Sequence, residues 1–363
     1  MIIMKTMLKN IYKKVPLISQ KLKWKKKIKI ILKKNQITKR VPNEYRNVIN
    51  NFWMENANTN IRKDWHLAYS NLNGIRDERY VPEDIFYTRI EPALNRQDLV
   101  PAYTDKNNYK TFLGNYPEPT ILIKNKHGKF YTNSEEKLNI NEAKELLLNK
   151  EGEFFIKPSI DSGGGKAVSL IQVENKKISL KNNPISFEKL DKLYGPDYLI
   201  QKKIMQHKSL REVHPDSLNT LRITTLKLDN EIVVISTVAR FGNKGESVDN
   251  QASGGVSCGV DDKGFLKKYA VDKLGSKFSV HPYTNVKFEG IKVPNYKSAT
   301  ELVKDLHYKL HYFNMVSWDV AVDLNAELKL LELNLQGQEI NFHQFNNGPL
   351  FGEYTKKVFE MIK

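Results

Sequence analysis

Residues Asn219 to Leu228 and Glu231 to Phe241 form two long runs dense in Leu, Ile, Val and Thr, separated only by Asp229-Asn230. So short a connection leaves no room for a crossover, so the two runs must pair as antiparallel strands. Shorter β-prone runs precede them. Thr120 to Ile123 and Lys129 to Thr132 flank the turn Lys126-His127-Gly128, and Glu153 to Pro158, Ala167 to Val173 and Tyr198 to Ile204 follow. A last hairpin is expected from Ser317 to Leu324 and Glu327 to Asn334 around Asn325.

Helical signals lie between the strands. Asn139 with Glu142 three residues later reads as a capping box ahead of Ala143, Leu146 and Leu147. Leu302, Val303, Leu306, Leu310 and Phe313 share one face of a helix expected over Thr300 to Phe313, and Tyr354 to Ile362 reads as a closing helix. The stretch from Glu44 to about Arg96, with Phe52, Trp53, Trp65, Tyr69, Tyr80, Phe86 and Tyr87, reads as a small helical lobe. Helices mixed with dense antiparallel pairs argue for an α+β class rather than a doubly wound parallel sheet. The expected domains are a basic amphipathic tail (1–40), a helical N-terminal lobe (41–100), a first lobe with a glycine-rich loop (101–200) and a C-terminal lobe with a metal site (201–363).

Charge is concentrated at one end. Of 58 Lys and Arg, fourteen fall within residues 1–40, which hold no acid, leaving 44 against 41 Asp and Glu elsewhere. Met4, Met7, Leu8, Ile11 and Val15 recur at helical spacing among Lys5, Lys9, Lys13 and Lys14 until Pro16. A second lysine-rich block surrounds Trp24, Ile28, Ile31 and Leu32. Two readings stand: peripheral docking on an anionic inner leaflet with the apolar stripe inserted shallowly, or a solvated arm. Nucleic acid is disfavoured because no recognition motif accompanies the patch. The single Cys258 offers no disulfide framework, which suits a reducing cytoplasm.

Four places carry chemistry. Phe155-Ile156-Lys157-Pro158 runs into Ser162-Gly163-Gly164-Gly165, a strand-end lysine followed by glycines whose N–H groups can wrap an anion. The spacing departs from the P-loop pattern, so this is a different phosphate loop or only a flexible turn. In the C-terminal hairpin Glu332 and Asn334 share a strand face, with Asp319 on the neighbouring strand. Two carboxylates and an amide oxygen are hard ligands suited to Mg²⁺. Arg222 and Arg240 lie on the paired long strands, where converging guanidinium forks clamp phosphate or carboxylate, and Asn250, Ser253, Gly254 and Gly255 follow in a polar loop. Finally, the apolar strand Tyr198 to Ile204 could offer a slot to a flat ring. Cys258 reads as a small buried thiol in a turn rather than a nucleophile, and His214 and His343 as ordinary histidines rather than proton shuttles.

This order of residues resembles that of the ATP-grasp ligases, including the ribosomal-protein glutamate ligase branch. Thr104-Asp105-Lys106 with Pro117-Glu118-Pro119 supplies the upstream lysine of that pattern. Arg79-Tyr80-Val81-Pro82-Glu83-Asp84-Ile85-Phe86, Ile90-Glu91-Pro92-Ala93-Leu94-Asn95 and Ser217-Leu218-Asn219-Thr220-Leu221-Arg222 are similar to the sugar-transfer-associated group, over roughly Trp65 to the C terminus. The resemblance implies two α/β lobes whose antiparallel sheets clasp ATP. It implies that Lys106, Lys157, Ser162, Gly163, Gly164 and Gly165 bind the ATP phosphates and that Gln201, Lys202 and Ile204 line the adenine slot. Arg222 and Arg240 would meet the transferred phosphoryl group, Asp319, Glu332 and Asn334 would hold Mg²⁺, and Asn250, Ser253, Gly254 and Gly255 would face substrate. Two departures stand out: Gln201 or Lys202 replaces the usual hinge glutamate, and Leu335-Gln336-Gly337 replaces the usual Pro-Gly after Asn334. The implied reaction joins a carboxylate to an amine through an acylphosphate, in surface polysaccharide synthesis. A kinase acting on a sugar or lipid-linked glycan precursor is the enzymatic alternative, and a silent membrane-docked scaffold the non-enzymatic one.

Overall fold

A computed structural model of the chain describes residues 22–160, 167–229, 231–244 and 254–363. Two antiparallel sheets dominate it. The first runs in the order β3-β2-β1-β8-β4-β5-β6-β7. Its strands are β1 Ile121–Lys126, β2 Lys129–Tyr131, β3 Lys137–Leu138, β4 Gly152–Pro158, β5 Ser169–Glu174, β6 Lys177–Leu180, β7 Asn183–Ile185 and β8 Tyr198–Lys202. The helices Ile140–Leu148 and Phe187–Tyr194 contribute Ala143, Leu147, Phe187 and Leu190 to a core with Ile123, Ile156, Ile171 and Ile200. The expected capping box is present, with Asn139 accepting from the Glu142 N–H and Glu142 accepting from the Asn139 N–H.

The second sheet runs β13-β12-β11-β10-β9-β14-β15. It comprises β9 Thr220–Leu228, β10 Glu231–Phe241, β11 Val256–Val260, β12 Leu266–Val271, β13 Lys277–Phe278, β14 Met315–Val322 and β15 Leu328–Asn334. Strands β9 and β10 pair antiparallel from Glu231↔Leu228 onward, as the two-residue connection requires. Alternation then divides the sheet. Leu221, Ile223, Trp318 and Val320 pack one face beneath the helix Tyr296–Tyr308. On the opposite face three rows follow one another: Leu226 beside Met315, Thr224 beside Ser317, and Arg222 beside Asp319. The first row lies in the core of the N-terminal helices with Trp53, Phe86 and Ile90. The second is neutral and polar, with Thr224 Oγ1 3.0 Å from Ser317 Oγ and 3.1 Å from His343 Nε2. The third is charged.

Several expectations shift against this fold. The helix expected over Thr300 to Phe313 spans Tyr296–Tyr308, because Leu310 and Phe313 are buried from the turns that follow it rather than from its own face. Cys258 lies in β11 rather than in a turn, fully buried between strands. The second lysine-rich block is a helix over residues 22–34 whose Ile28 and Ile31 are completely buried with Trp65, Tyr69 and Tyr80. That apolar stripe therefore faces protein and cannot insert into lipid. Residues 1–21 lie outside the described residues.

The motif Ile90 to Asn95 works as a brace. Asn95 is buried and makes four hydrogen bonds: its Nδ2 donates to the carbonyls of Met315 and Leu335, and its Oδ1 accepts from the N–H groups of Asn314 and Met315. It ties the start of β14 to the segment leaving β15. Glu91 accepts from the Gln338 N–H four residues earlier in the same motif. Replacing Asn95 by Ala leaves buried backbone groups unpaired and is expected to cost about 2–4 kcal/mol. A lowered urea midpoint at unchanged slope is the readout, and an unchanged midpoint would refute the brace.

Candidate active site

The register of the second sheet assembles a charged row. Asp319 pairs with Arg222 on one side and with Glu332 on the other, so all three side chains emerge on one face. Arg222 pairs with Val238, which puts Arg240, two residues along, on that face too. Arg222 grips Asp319 with both arms of its fork, Nε to Oδ1 and Nη2 to Oδ2, the latter at 2.6 Å. Arg240 Nη1 reaches Asp319 Oδ2 at 3.2 Å. Burial pushes the Asp319 carboxyl upward, but Arg222 and Arg240 override it and hold the group below its usual range. The Phe342 ring lies 5.8 Å from the Arg222 guanidinium carbon and supports it as a cation–π partner. Asn334 stands two residues beyond Glu332, its Nδ2 3.4 Å from the Ser317 carbonyl.

Two lysines approach from the first sheet. Lys157 lies next to the end of β4, and Lys106 is brought beside it because the Lys106 N–H donates to the Ser159 carbonyl at 2.9 Å. Asp105 fixes that short turn by accepting from the Asn107 N–H and from Asn108 Nδ2. Lys106 Nζ then reaches Glu332 Oε1 at 2.8 Å, so one residue is anchored to both sheets. Burial, followed by the neighbouring Lys106 charge, lowers Lys157 to about 7, against the pull of Glu332 and Asp319. Burial thus disfavours the charged form of this lysine despite the two carboxylates nearby.

The structure thus brings together Lys106, Lys157, Arg222, Arg240, Asp319, Glu332 and Asn334. Gln201 is buried in β8 opposite Phe155 and Ile121. Lys202 pairs with the core residue Phe154, so its side chain emerges on the opposite face from that of Gln201, and Ile204 lies just past the strand. Gly254 and Gly255 lead into β11 beside the end of β10; Gly254 has φ +94°, and a Cβ there would stand 2.6 Å from Asn243 Nδ2. Ser162, Gly163, Gly164, Gly165, Asn250 and Ser253 lie outside the described residues. Cys258, pushed up to about 12 by burial, is no nucleophile. His214 and His343 are buried in internal hydrogen bonds, to Ser217 and to Thr224 and Ser236 respectively.

Two contributors escape the reading of the sequence. Lys124 pairs with Leu199, which also pairs with Lys157, so the two lysines share a face of the first sheet; Lys124 is buried and capped by Glu135 at 2.8 Å. Tyr109 accepts from the Leu333 N–H through its hydroxyl and fixes the strand beside Glu332. Glu91 is raised to about 7 by burial, against the Gly337 and Gln338 N–H groups it holds. No local signal marks Lys124, because a bulge between Ile121 and Ile123 breaks the alternation of the strand.

As a donor set, Asp319, Glu332 and Asn334 fit Mg²⁺, which takes few protein oxygens and shares the rest with water and phosphate. Among the described residues no three His, Cys, Asp or Glu side chains cluster as a self-sufficient metal cage.

Two antiparallel sheets facing each other across converging lysines, arginines and hard oxygen ligands define an ATP-grasp architecture. The chain belongs to the sugar-transfer associated ATP-grasp family, whose sequence pattern matches residues 86–359. The match thus begins at the end of the Arg79 to Phe86 motif. No curated protein matches the sequence. Among solved structures, the ATP-grasp ligase PsnB in complex with a precursor peptide and AMPPNP is similar with a TM-score of 0.42 and 11% identity, over 74% of this chain and 62% of that one. The D-alanine-D-alanine ligase from Coxiella burnetii gives 0.39 and 12%, over 72% and 57%. PurK, an N5-carboxyaminoimidazole ribonucleotide synthetase crystallised with ADP, gives 0.37 and 10%, over 65% and 45%. This chain therefore spans less than two thirds of the length of each.

The two carboxylates of the row differ in what they hold. Asp319→Asn leaves buried guanidinium charge without its partner and is expected to cost about 3 kcal/mol or more. Glu332→Gln, at a side chain 29% exposed whose replacement keeps an amide oxygen for the buried Lys106 ammonium, is expected to cost clearly less than Asp319→Asn. Urea titrations of the two variants that gave equal losses would contradict the assignment.

Proposed function

We propose that the protein is an ATP-dependent carboxylate–amine ligase that attaches an amino acid or other amine to a sugar carboxylate, or an amino acid to an amino sugar, in surface polysaccharide synthesis. The observation that carries this reading is the row Arg222–Asp319–Glu332, with Arg240 beside it, facing Lys106 and Lys157. Membership of a sugar-transfer associated family supports the glycan context.

In this reading a substrate carboxylate oxygen attacks the γ-phosphorus of ATP, the bond to the β–γ bridging oxygen breaks, and ADP leaves. An amine then attacks the acyl carbon of the acylphosphate, inorganic phosphate departs with the bonding pair, and the amine loses a proton. Lys106 and Lys157 bind the nucleotide phosphates, drawing Lys106 away from Glu332. Arg222 and Arg240 neutralise the transferred phosphoryl group while Asp319 keeps their forks oriented. Gln201, buried on the face of the first sheet that carries Lys157, would line the adenine slot. When bound, Mg²⁺ would be held by Asp319, Glu332 and Asn334 and would supply Lewis-acid stabilisation of phosphate charge. No side-chain nucleophile is required, in keeping with the inert state of Cys258.

The lysine-rich N-terminal region supports work at the cytoplasmic face of a membrane, where glycan precursors are carried. No helix among the described residues is long and apolar enough to cross a membrane.

Incubation with Mg²⁺, ATP, pooled amino acids and pooled sugar nucleotides including uronic acids is expected to yield ADP, phosphate and a condensed mass, all lost in Glu332→Ala. ADP with a phosphorylated product and no free phosphate would instead indicate a kinase, and failure to bind ATP would leave only a scaffold. A second prediction concerns protons. Because Lys157 is lowered to about 7 in the unliganded protein, it is mostly neutral at pH 8, and phosphate binding restores its charge. The same shift makes the unliganded protein gain stability as pH rises from about 7 towards the ordinary lysine range. Calorimetry of ATP binding at pH 8, in two buffers of different ionisation heat, is expected to report uptake of up to about one proton, absent in Lys157→Met. Equal heats in the wild type would remove Lys157 from the phosphate site.

A further inference from the structure

The helix over residues 22–34 has two unlike faces. Its inner face is fully engaged: Ile28 and Ile31 are buried, Trp24 stacks on Tyr87 with ring centroids 4.7 Å apart, and Lys27 pairs with the buried Glu83 at 2.8 Å. At the C-terminal end Lys34 pairs with Asp272 at 2.7 Å, and Asn35 Nδ2 donates to the Leu274 carbonyl at 2.8 Å. The helix is thus fastened to the catalytic body at both ends.

The outer face carries Leu22, Lys26, Lys29, Ile30 and Lys33, spaced so that they line one side of the helix. Leu22 is 60% exposed and Ile30 45%. Lys23 and Lys25 flank this side, and all five of these lysines are exposed and in no ion pair with a described carboxylate. The basic surface continues past the helix, where Lys39 and Lys277 border an open depression of about 340 Å³ with Gln36 and Thr38. Nearby Tyr269 is exposed, with Lys277 Nζ 5.0 Å and Lys268 Nζ 5.5 Å from its ring.

We propose that this outer face, and not the buried stripe of Ile28 and Ile31, is a docking surface for an anionic lipid bilayer, with Leu22 and Ile30 seated at headgroup depth and the lysines against lipid phosphates. The proposal deepens, and rests on, the reading of the chain as membrane-associated. Charge complementarity points to an anionic partner. Two exposed aliphatic side chains interleaved with lysines point to a bilayer, since insertion rewards them whereas a nucleic-acid backbone offers them nothing. The aromatic residue of the helix, Trp24, is turned inward onto Tyr87 and offers no base-stacking platform. Because the helix is fastened to the body, docking would hold the cleft at a fixed orientation to the membrane.

Flotation of the full chain with phosphatidylcholine vesicles, and with vesicles also containing phosphatidylglycerol, tests this at low and high salt. Binding to the anionic vesicles alone is expected. Lys26→Glu, Lys29→Glu and Lys33→Glu together should weaken it roughly tenfold or more. Leu22→Gln with Ile30→Gln should weaken it and make the remainder more salt-sensitive. Lys176→Glu, Lys177→Glu and Lys181→Glu, exposed residues of the first sheet with the same net charge change, should leave it intact. Thermal melts of all variants check that they fold. If the control weakened binding as much as the helix variant, or if only Lys5→Glu, Lys9→Glu, Lys13→Glu and Lys14→Glu abolished it, the helix face would be overturned while membrane association stood. No flotation of the wild type would overturn both, and retention on immobilised DNA without flotation would assign the surface to nucleic acid instead.

Discussion

Asp319 holds the arrangement together. Two guanidinium groups emerge from neighbouring strands onto a largely water-excluded face, and one carboxylate balances both. Removing two cations and an anion from water is costly, and the bidentate geometry to Arg222 makes that burial tolerable. With Lys106 paired to Glu332 beside them, cations and anions alternate along this face.

Along one face of the second sheet the chemistry is graded. Leu226 and Met315 lie in an apolar core, Thr224 and Ser317 form a neutral hydrogen-bonded layer with His343 and Gln338, and Arg222 and Asp319 carry the charge. Burial keeps His343 neutral, at about 3, with the Arg222 charge adding to the effect. It serves as a hydrogen-bonding spacer between oil and ions. Three of the sequence motifs brace this layered face through hydrogen bonds at its margins. Asn95 and Glu91 fasten the segment after β15, the Val81 N–H and carbonyl both bond the Gln344 side chain, and Asn219 secures the turn before β9 through the Leu210 and His214 carbonyls.

Much of this was legible from residue order alone. The Asp229-Asn230 connection fixed an antiparallel pair, and alternation around Glu332 and Asn334 identified the carboxylate face, because strand period and turn length are local properties. What faces a surface is not local. The apolar stripe of residues 22–34 was visible, but helical spacing cannot tell whether lipid or Trp65 and Tyr69 covers it. Lys124 looked like an ordinary strand lysine, since only its pairing with Leu199 reveals that it shares a face with Lys157. Leu310 and Phe313 extended an apparent helix because buried turn residues and buried helix residues carry the same signature. Glu91 and Asn95 were noticed for their resemblance, while their bonds to residues more than two hundred positions away could not be read.

The strand order has a consequence for how the protein comes to be active. Strands β9 to β13 form a meander of neighbours, whereas β14 must return across a long stretch of chain to pair with β9 and carry β15 with it. Arg222 and Arg240 belong to the early, local half, and Asp319, Glu332 and Asn334 to the late one. Closing that distant pairing is entropically slow, and until it happens β9 offers an open edge that carries Arg222 without its counter-ion. Completion of the sheet and completion of the charged row are then one event, so a chain interrupted before residue 315 would be left with an aggregation-prone edge rather than a partly assembled site.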